Sequence, residues 1–268
     1  MRLLAAAVSD VGLHRSVNQD AAFTAPWGAV VADGVGGGPA GDLASSSLLH
    51  RLAATGAYRR DDSEGLQERI LVANWELSAH AARDPSLVGM ATTLTGIFCG
   101  ATANTLLLAH TGDSRGYRLR RGVLTRMTRD DSYVQELVDQ GILSLADAAS
   151  HPRRNIITAS LSGDEDDVVR VTRHEAEDGD RWLLCSDGVT DYVPEPYLEQ
   201  LLVSVADPHD AADAVVRLAL RAGTMDNVTA VVCDTTTDAL DYAPSAPAFT
   251  GAAASWFVDD FDLDVETA

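Results

Sequence analysis

Three stretches run from apolar residues straight into an aspartate followed by a turn. They are Ala29-Val30-Val31-Ala32-Asp33-Gly34, Leu183-Leu184-Cys185-Ser186-Asp187-Gly188 and Leu107-Leu108-Ala109-His110-Thr111-Gly112-Asp113-Ser114. A fourth, Asp226-Asn227-Val228-Thr229-Ala230-Val231-Val232, sets the acid at the start of the apolar run. Taken singly, Asp-Gly is ordinary turn chemistry. Four together point elsewhere, because carboxylates at strand ends stand at a sheet rim, where several can converge on one hard cation that demands oxygen ligands. Their mutual repulsion nearly requires such a cation. Mg²⁺ and Mn²⁺ suit all-oxygen ligation. Zn²⁺ does not, since the seven histidines show no ligand spacing and the three cysteines are unpaired in sequence. Upstream, Gly12-Leu13-His14-Arg15-Ser16-Val17-Asn18-Gln19-Asp20 places a guanidinium just before another acid, and such a fork can hold two phosphate oxygens beside a metal.

These groups need a scaffold. Residues 3–9, 27–33, 92–99, 104–111, 115–120, 167–173, 181–186 and 227–234 are short, apolar or alternating and bounded by Gly, Asp or Asn, which predicts strands. Residues 61–83 predict a helix, with Asp61 or Asp62 as N-cap and Leu66, Ile70, Ala73, Leu77 and Ala81 on one face. Two more helices are expected at 40–54 and 208–221. Between Thr128 and Gly163 the text is polar and partly helical, as a surface flap would be. From Thr235 onward seven acidic residues occur without a basic one, which predicts a mobile tail in which Trp256, Phe257, Val258 and Phe261 could form a docking segment. Trp75 and Trp182 read as core or interface aromatics.

The 268 residues carry 40 acidic and 20 basic groups, for a formal net charge of -20, and every basic residue is Arg. That field repels nucleic-acid backbones and anionic membranes and favours divalent cations. Three cysteines, Cys99, Cys185 and Cys233, make no disulfide framework, so a reducing, cytoplasmic setting is expected. No run approaches a membrane span, and the short apolar run at Leu3–Val8 is too brief for a signal peptide.

Seven motifs in order carry a resemblance: Arg15-x-x-Asn18-Gln19-Asp20, Asp33-Gly34-x-Gly36-Gly37, Gly89-Met90-Ala91-Thr92-Thr93-Leu94, Gly112-Asp113-Ser114-Arg115, His151-Pro152-x-Arg154-Asn155, Ser186-Asp187-Gly188 and Asp226-Asn227-Val228-Thr229. Over residues 1–234 the chain resembles the protein phosphatase 2C (PPM) family, especially its bacterial members. The resemblance implies an α+β fold, a four-layer αββα sandwich of two antiparallel sheets flanked by helices. It implies hydrolysis of phosphoserine and phosphothreonine in proteins at a centre of two, or three, Mn²⁺ or Mg²⁺ ions. By similarity Asp33 bridges two metals, the Gly34 carbonyl ligates one of them, Asp187 and Asp226 complete the first, and Asp113 with Asp187 holds a third. Arg15 matches the phosphate-binding arginine, and Asp20 and Asp191 match acids that orient water. A water shared by two cations would attack phosphorus directly, with no covalent phosphoenzyme. The implied partner is a phosphorylated protein, opposing a Ser/Thr kinase, with no nucleic acid and no membrane. Residues 129–155 match the family's variable flap, and 235–268 lie beyond the matched domain as an acidic tail.

The chain departs from the family at Val35, where animal members carry His, at Ala91, where Gly is common, and at Asp131, where His is common. None of these is a ligand position. Two other readings compete. Gly36-Gly37-Gly38-Pro39-Ala40-Gly41 formally satisfies the dinucleotide-binding G-x-G-x-x-G pattern, although no strand ending in a ribose-reading acid follows it. A catalytically silent binding module would be expected to lack ligand residues, and all are present.

Overall fold

The computed structural model describes residues 1–35, 40–56, 61–237 and 246–255. Its strands are β1 (Arg2–Asp10), β2 (Asp20–Ala25), β3 (Gly28–Val35), β4 (Ala91–Thr92), β5 (Leu94–Cys99), β6 (Thr105–Thr111), β7 (Arg115–Arg120), β8 (Val123–Arg126), β9 (Arg170–Glu175), β10 (Arg181–Cys185), β11 (Val228–Thr236) and β12 (Ala248–Gly251). Its helices are α1 (Gly41–Gly56), α2 (Ser63–Arg83), α3 (Tyr133–Asp139), α4 (Leu145–Ala148), α5 (Asp187–Thr190), α6 (Glu195–Ser204), α7 (Pro208–Arg221) and α8 (Ala252–Ser255).

Strands buried on both faces read as unbroken apolar runs, because successive side chains point to opposite sides of the sheet and here both sides are covered. Two antiparallel sheets result. One has the order β1-β11-β10-β7-β8, and the other β12-β2-β3-β5-β6-β9 with β4 added beside β3. Ala29, Val31, Ile97, Leu106 and Leu108 of the second sheet meet Leu3, Trp182, Leu184, Val231 and Cys233 of the first in one buried cluster between the sheets. The alternate residues face outward. Val30, Ala32 and Phe23 pack under Leu48, Leu49 and Leu52 of α1 and Leu66 and Ile70 of α2. Leu183, Cys185, Ala230 and Val232 pack under Leu198 and Leu202 of α6 and Val215 and Ala219 of α7. The layer order is therefore helix, sheet, sheet, helix, the α+β sandwich expected from the motifs.

Capping explains where the helices start. Asp62 accepts the Gly65 N–H at 2.9 Å to open α2, and Asp207 accepts the N–H groups of His209 and Asp210 ahead of Pro208 in α7. The predicted strand 92–99 is split at Thr93, whose side chain serves the site described below. The predicted end of a strand at Asp33 moves to Val35, and the strand expected at 167–173 runs from Arg170 to Glu175. Elements without a prediction are β2, β8, α5, α6, β12 and α8.

The free tail expected from Thr235 does not hold for residues 246–255. β12 pairs with β2, with Phe249 opposite Phe23. Ala252 and Ala253 are buried beside α1, and His50 Nε2 donates to the Ala253 carbonyl at 2.8 Å. The sequence reading weighed charge and small residues across the whole segment, whereas a four-residue edge strand needs only one apolar anchor and a strand to pair with. Trp256, Phe257, Val258 and Phe261 lie outside the described residues. Of the two tryptophans read as core or interface aromatics, Trp182 is a core residue, and Trp75, 64% exposed, is not. None of the described helices is long and apolar enough to cross a membrane.

Candidate functional site

β2 and β3 are register partners, so Asp20 stands opposite Asp33 at one end of the second sheet. The first sheet contributes from its facing end. β10 stops at Cys185, Ser186 occupies the N-cap position of α5 without a side-chain capping bond, and Asp187 takes that helix's first position. β11 begins just after Asp226 and Asn227. The turn between β6 and β7 carries Asp113. Arg15, Asp33, Gly34, Asp113, Asp187 and Asp226, all singled out in the sequence, line one cavity of about 210 Å³. Asp20 is buried behind it, 1% exposed. Asp191 lines an adjoining cavity of about 200 Å³ beneath the flap, together with Asp113, Asp187 and Arg154. Arg154 Nε donates to Asp191 Oδ2 at 3.2 Å.

Backbone contacts set these positions closely. Gly34 must be Gly, because a Cβ there would collide with the backbone of Gly41 at the start of α1. The Asp33 N–H donates to Thr93 Oγ1 at 3.0 Å, the Thr93 N–H donates to the Asp33 carbonyl at 2.8 Å, and Thr93 Oγ1 meets Ser114 Oγ at 3.0 Å. Thr93 therefore breaks the strand and ties Asp33 to the Asp113 turn. Asn227 joins the Arg15 loop to the Asp226 turn: its Oδ1 accepts the Gln19 N–H at 2.9 Å, and its Nδ2 donates to the carbonyls of Val11 and Val17 at 2.9 and 3.0 Å. Arg15 Nη2 donates to Asp226 Oδ2 at 2.7 Å.

The electrostatics follow from crowding acids in a buried place. Burial holds Asp33 and Asp187 well above the usual carboxylate range, and repulsion adds to it: Asp20 and Asp187 act on Asp33, Asp113 and Asp191 on Asp187. Asp113 is pushed up to about 7, first by burial and then by Asp130 and Asp191. Asp20 is pushed up to about 6 by burial, against the opposing hydrogen bond from Ser186. The Asp187 Oδ1 is buried without a hydrogen-bond partner. A buried, unpartnered carboxylate oxygen in a cavity also lined by Asp33, Asp113 and Asp226 is the donor set of a hard divalent cation. Divalent metal fits these residues. The three cysteines are buried, and burial pushes the Cys185 thiol up to about 12, so none has the character of a nucleophile.

Some contributors were invisible in the sequence. The 112–115 turn is held from outside by Asp131, whose carboxylate accepts the Gly112 N–H at 3.2 Å and whose own N–H donates to the Gly112 carbonyl at 2.7 Å. Gly112 sits at φ +102, and a Cβ there would meet Thr93 Cγ2 at 2.6 Å. In the sequence Asp131 stands out only as a departure from the family, and nothing in its local text signals a contact 19 residues away. Ser186 had been quoted as part of a motif without a role. Asn155 and Ile157 bring the flap's end to the cavity; Asn155 belongs to the His151-Pro152-x-Arg154-Asn155 motif without a role, and Ile157 carries no signal. The Gly-rich dinucleotide reading rests on Gly36, Gly37, Gly38 and Pro39, which lie outside the described residues.

With this geometry in place, the comparisons with known proteins are specific. The profile of the family described as "Protein phosphatase 2C" matches residues 14–222. The chain belongs to the protein phosphatase 2C family. It is 41% identical over 254 residues to the serine/threonine protein phosphatase PstP of Mycobacterium tuberculosis, an alignment covering 92% of this chain and 47% of PstP. The chain thus spans about half the length of that relative. It is 35% identical over 211 residues to the serine/threonine phosphatase stp of Listeria innocua, covering 76% of this chain and 83% of that one. Among solved structures, the M. tuberculosis phosphatase PstP/Ppp superposes with a TM-score of 0.82 at 39% identity, covering 88% of this chain and 100% of that chain. The PstP catalytic domain in complex with two manganese ions gives 0.80 at 38% identity, covering 88% and 99%.

Proposed function

We propose that this phosphatase 2C member hydrolyses phosphoserine and phosphothreonine in proteins and depends on Mn²⁺ or Mg²⁺. The observation that carries the reading is the convergence of Asp33, Asp113, Asp187 and Asp226 from two sheets on one cavity with Arg15 at its side. Asp33, the Gly34 carbonyl, Asp187 and Asp226 would hold two ions, and Asp113 with Asp187 a third. Divalent cations bound there supply the positive charge that activates water and offsets charge on the phosphate.

The chain's own groups do the rest. Arg15 is held over the cavity by Asp226, with the other arm of its guanidinium free to engage phosphate oxygens. Asp20, anchored by Ser186, stands behind Asp33 and keeps negative charge directed at the centre. Asp191, with Arg154, fixes the flap against the site and is placed to orient a water. The absence of a reactive thiol agrees with direct attack by water without a phosphocysteine intermediate. Manganese in the PstP domain supports the same metal here. The substrate would be a phosphoprotein made by a Ser/Thr kinase. A net charge of -20 argues against nucleic acid and anionic membranes as partners, and reduced cysteines agree with a cytoplasmic setting.

The test is hydrolysis of a phosphothreonine peptide with Mn²⁺, with Mn²⁺ plus chelator, and by the Asp226→Ala variant. Release of phosphate only in the first case is expected. Activity that survives chelation would defeat the reading.

A further inference from the structure

Large apolar side chains exposed to water are ordinary when scattered over a surface and informative when they gather at a polar site. Here they gather. Leu13 is 78% exposed, Val17 50%, Met225 53% and Ile156 48%. Each lies within two residues of a group that lines the catalytic cavity: Leu13 and Val17 flank Arg15, Met225 precedes Asp226, and Ile156 lies between Asn155 and Ile157.

Their exposure does not come from looseness. The loop bearing Leu13 and Val17 is pinned by Asn227 through the Val11 and Val17 carbonyls. The Gly12 N–H donates to Asp10 Oδ1 at 2.7 Å. Gly12 also lies so close to the Asp226 carbonyl that any Cβ would collide with it. The 156 segment is pinned likewise, by the Tyr133 N–H donating to the Ile156 carbonyl at 2.8 Å and by a bridge between Ser132 and Ile157. Three separately anchored segments thus present aliphatic groups beside a cavity whose own lining is mostly charged or polar. A surface held rigid before its partner arrives loses little entropy on binding.

We propose that Leu13, Val17, Met225 and Ile156 form an apolar rim that receives the side chains flanking the phosphorylated residue. The occupant is the substrate polypeptide itself, because the rim is continuous with the groups that would hold its phosphate, and the preferred substrates carry aliphatic or aromatic residues next to phosphoserine or phosphothreonine. This inference rests on the phosphatase reading above.

The test uses the full chain with Mn²⁺ and two phosphothreonine peptides identical except at the two positions on each side of the phosphoresidue, filled with Leu, Ile and Phe in one and with Ser and Gln in the other. A preference of about ten-fold or more in kcat/KM for the apolar peptide, expressed in KM, is expected. It should fall below about three-fold in the Leu13→Ser, Met225→Ser double variant and to an intermediate value in Leu13→Ser alone. Equal hydrolysis of both peptides overturns the rim while leaving the phosphatase reading intact. A preference that survives the double variant also overturns the rim. So does sedimentation showing a dimer of this chain that the double variant breaks while peptide preference is unchanged. Hydrolysis of neither peptide overturns the phosphatase reading and the rim with it.

Discussion

The Ser186 hydroxyl donates to Asp20 Oδ2 at 2.7 Å and accepts the Thr229 N–H at 3.0 Å, so one side chain ties the two sheets together directly behind the cavity. Ser186 is fully buried and precedes Asp187, while Asp20 stands opposite Asp33. This bond adds a polar tie at the site's end to the apolar cluster that packs the two sheets together.

Replacing Ser186 with Ala removes a buried partner of a carboxylate and of a backbone amide. Such a loss costs about 1.5–3 kcal/mol. Urea unfolding of the Ser186→Ala variant should show that destabilisation without a change in m-value. A loss below about 0.5 kcal/mol would mean that Asp20 does not depend on Ser186.

Removing one of the crowded acids should help the chelated protein and harm the metal-loaded one. Asp33→Asn relieves repulsion from Asp20, Asp187, Asp113 and Asp226, so in excess chelator its thermal midpoint is expected at or above that of the parent. The parent's midpoint should rise on adding Mn²⁺, and that rise should be largely absent in Asp33→Asn. An undiminished rise would remove Asp33 from the ligand set.

Three histidines are held below their ordinary range, chiefly by burial: His50, His110 and His174. His110 is the most enclosed. Its ring lies 2.9 Å from Thr95 Oγ1 and donates from Nε2 to the Arg129 carbonyl at 2.8 Å. A depressed base pKa means that the unfolded chain takes up protons first, so stability is full above about pH 6.5 and declines as pH falls through the folded values. Ring-proton titration by NMR should place His110 below 6.5, and between pH 7 and pH 5.5 the parent's denaturant midpoint should fall relative to that of a variant lacking all three histidines, since the raised carboxylates Asp20 and Asp113 gain stability over the same range in both proteins. A midpoint unaffected by replacing all three histidines would show that other groups govern that fall.

The ordered end of the chain has its own test. Phe249 packs 6.2 Å from the Phe23 ring and 3.9 Å from His50, centroid to centroid. Phe249→Ala should cost about 2–3 kcal/mol, less than a fully buried Phe because the side chain is partly exposed. A free tail would cost nothing.

How much of this was legible in the sequence depended on how far apart the interacting residues lie. The strand cores declared themselves because burial on both faces leaves unbroken apolar text. The helix at 63–83 declared itself because Asp62 and the spacing of Leu66, Ile70, Ala73 and Leu77 are local signals. β2 did not, because its run is six residues long and opens with an acid, and β12 did not, because its pairing with β2 joins residues more than 200 positions apart.

The sequence by itself determined which acids were available, that three of them closed apolar runs while Asp226 opened one, and that Arg was the cation beside them. Those are properties of residue type and spacing, and they sufficed to name the family and its chemistry. Only the tertiary structure decided that Asp33 and Asp187, from different sheets, line one cavity, that Ser186 ties Asp20 to β11, that Thr93 ties Asp33 to Ser114 beside Asp113, and that Asp131 holds the turn of Asp113. These are contacts between segments distant along the chain, fixed by sheet order and register, and no local pattern encodes them.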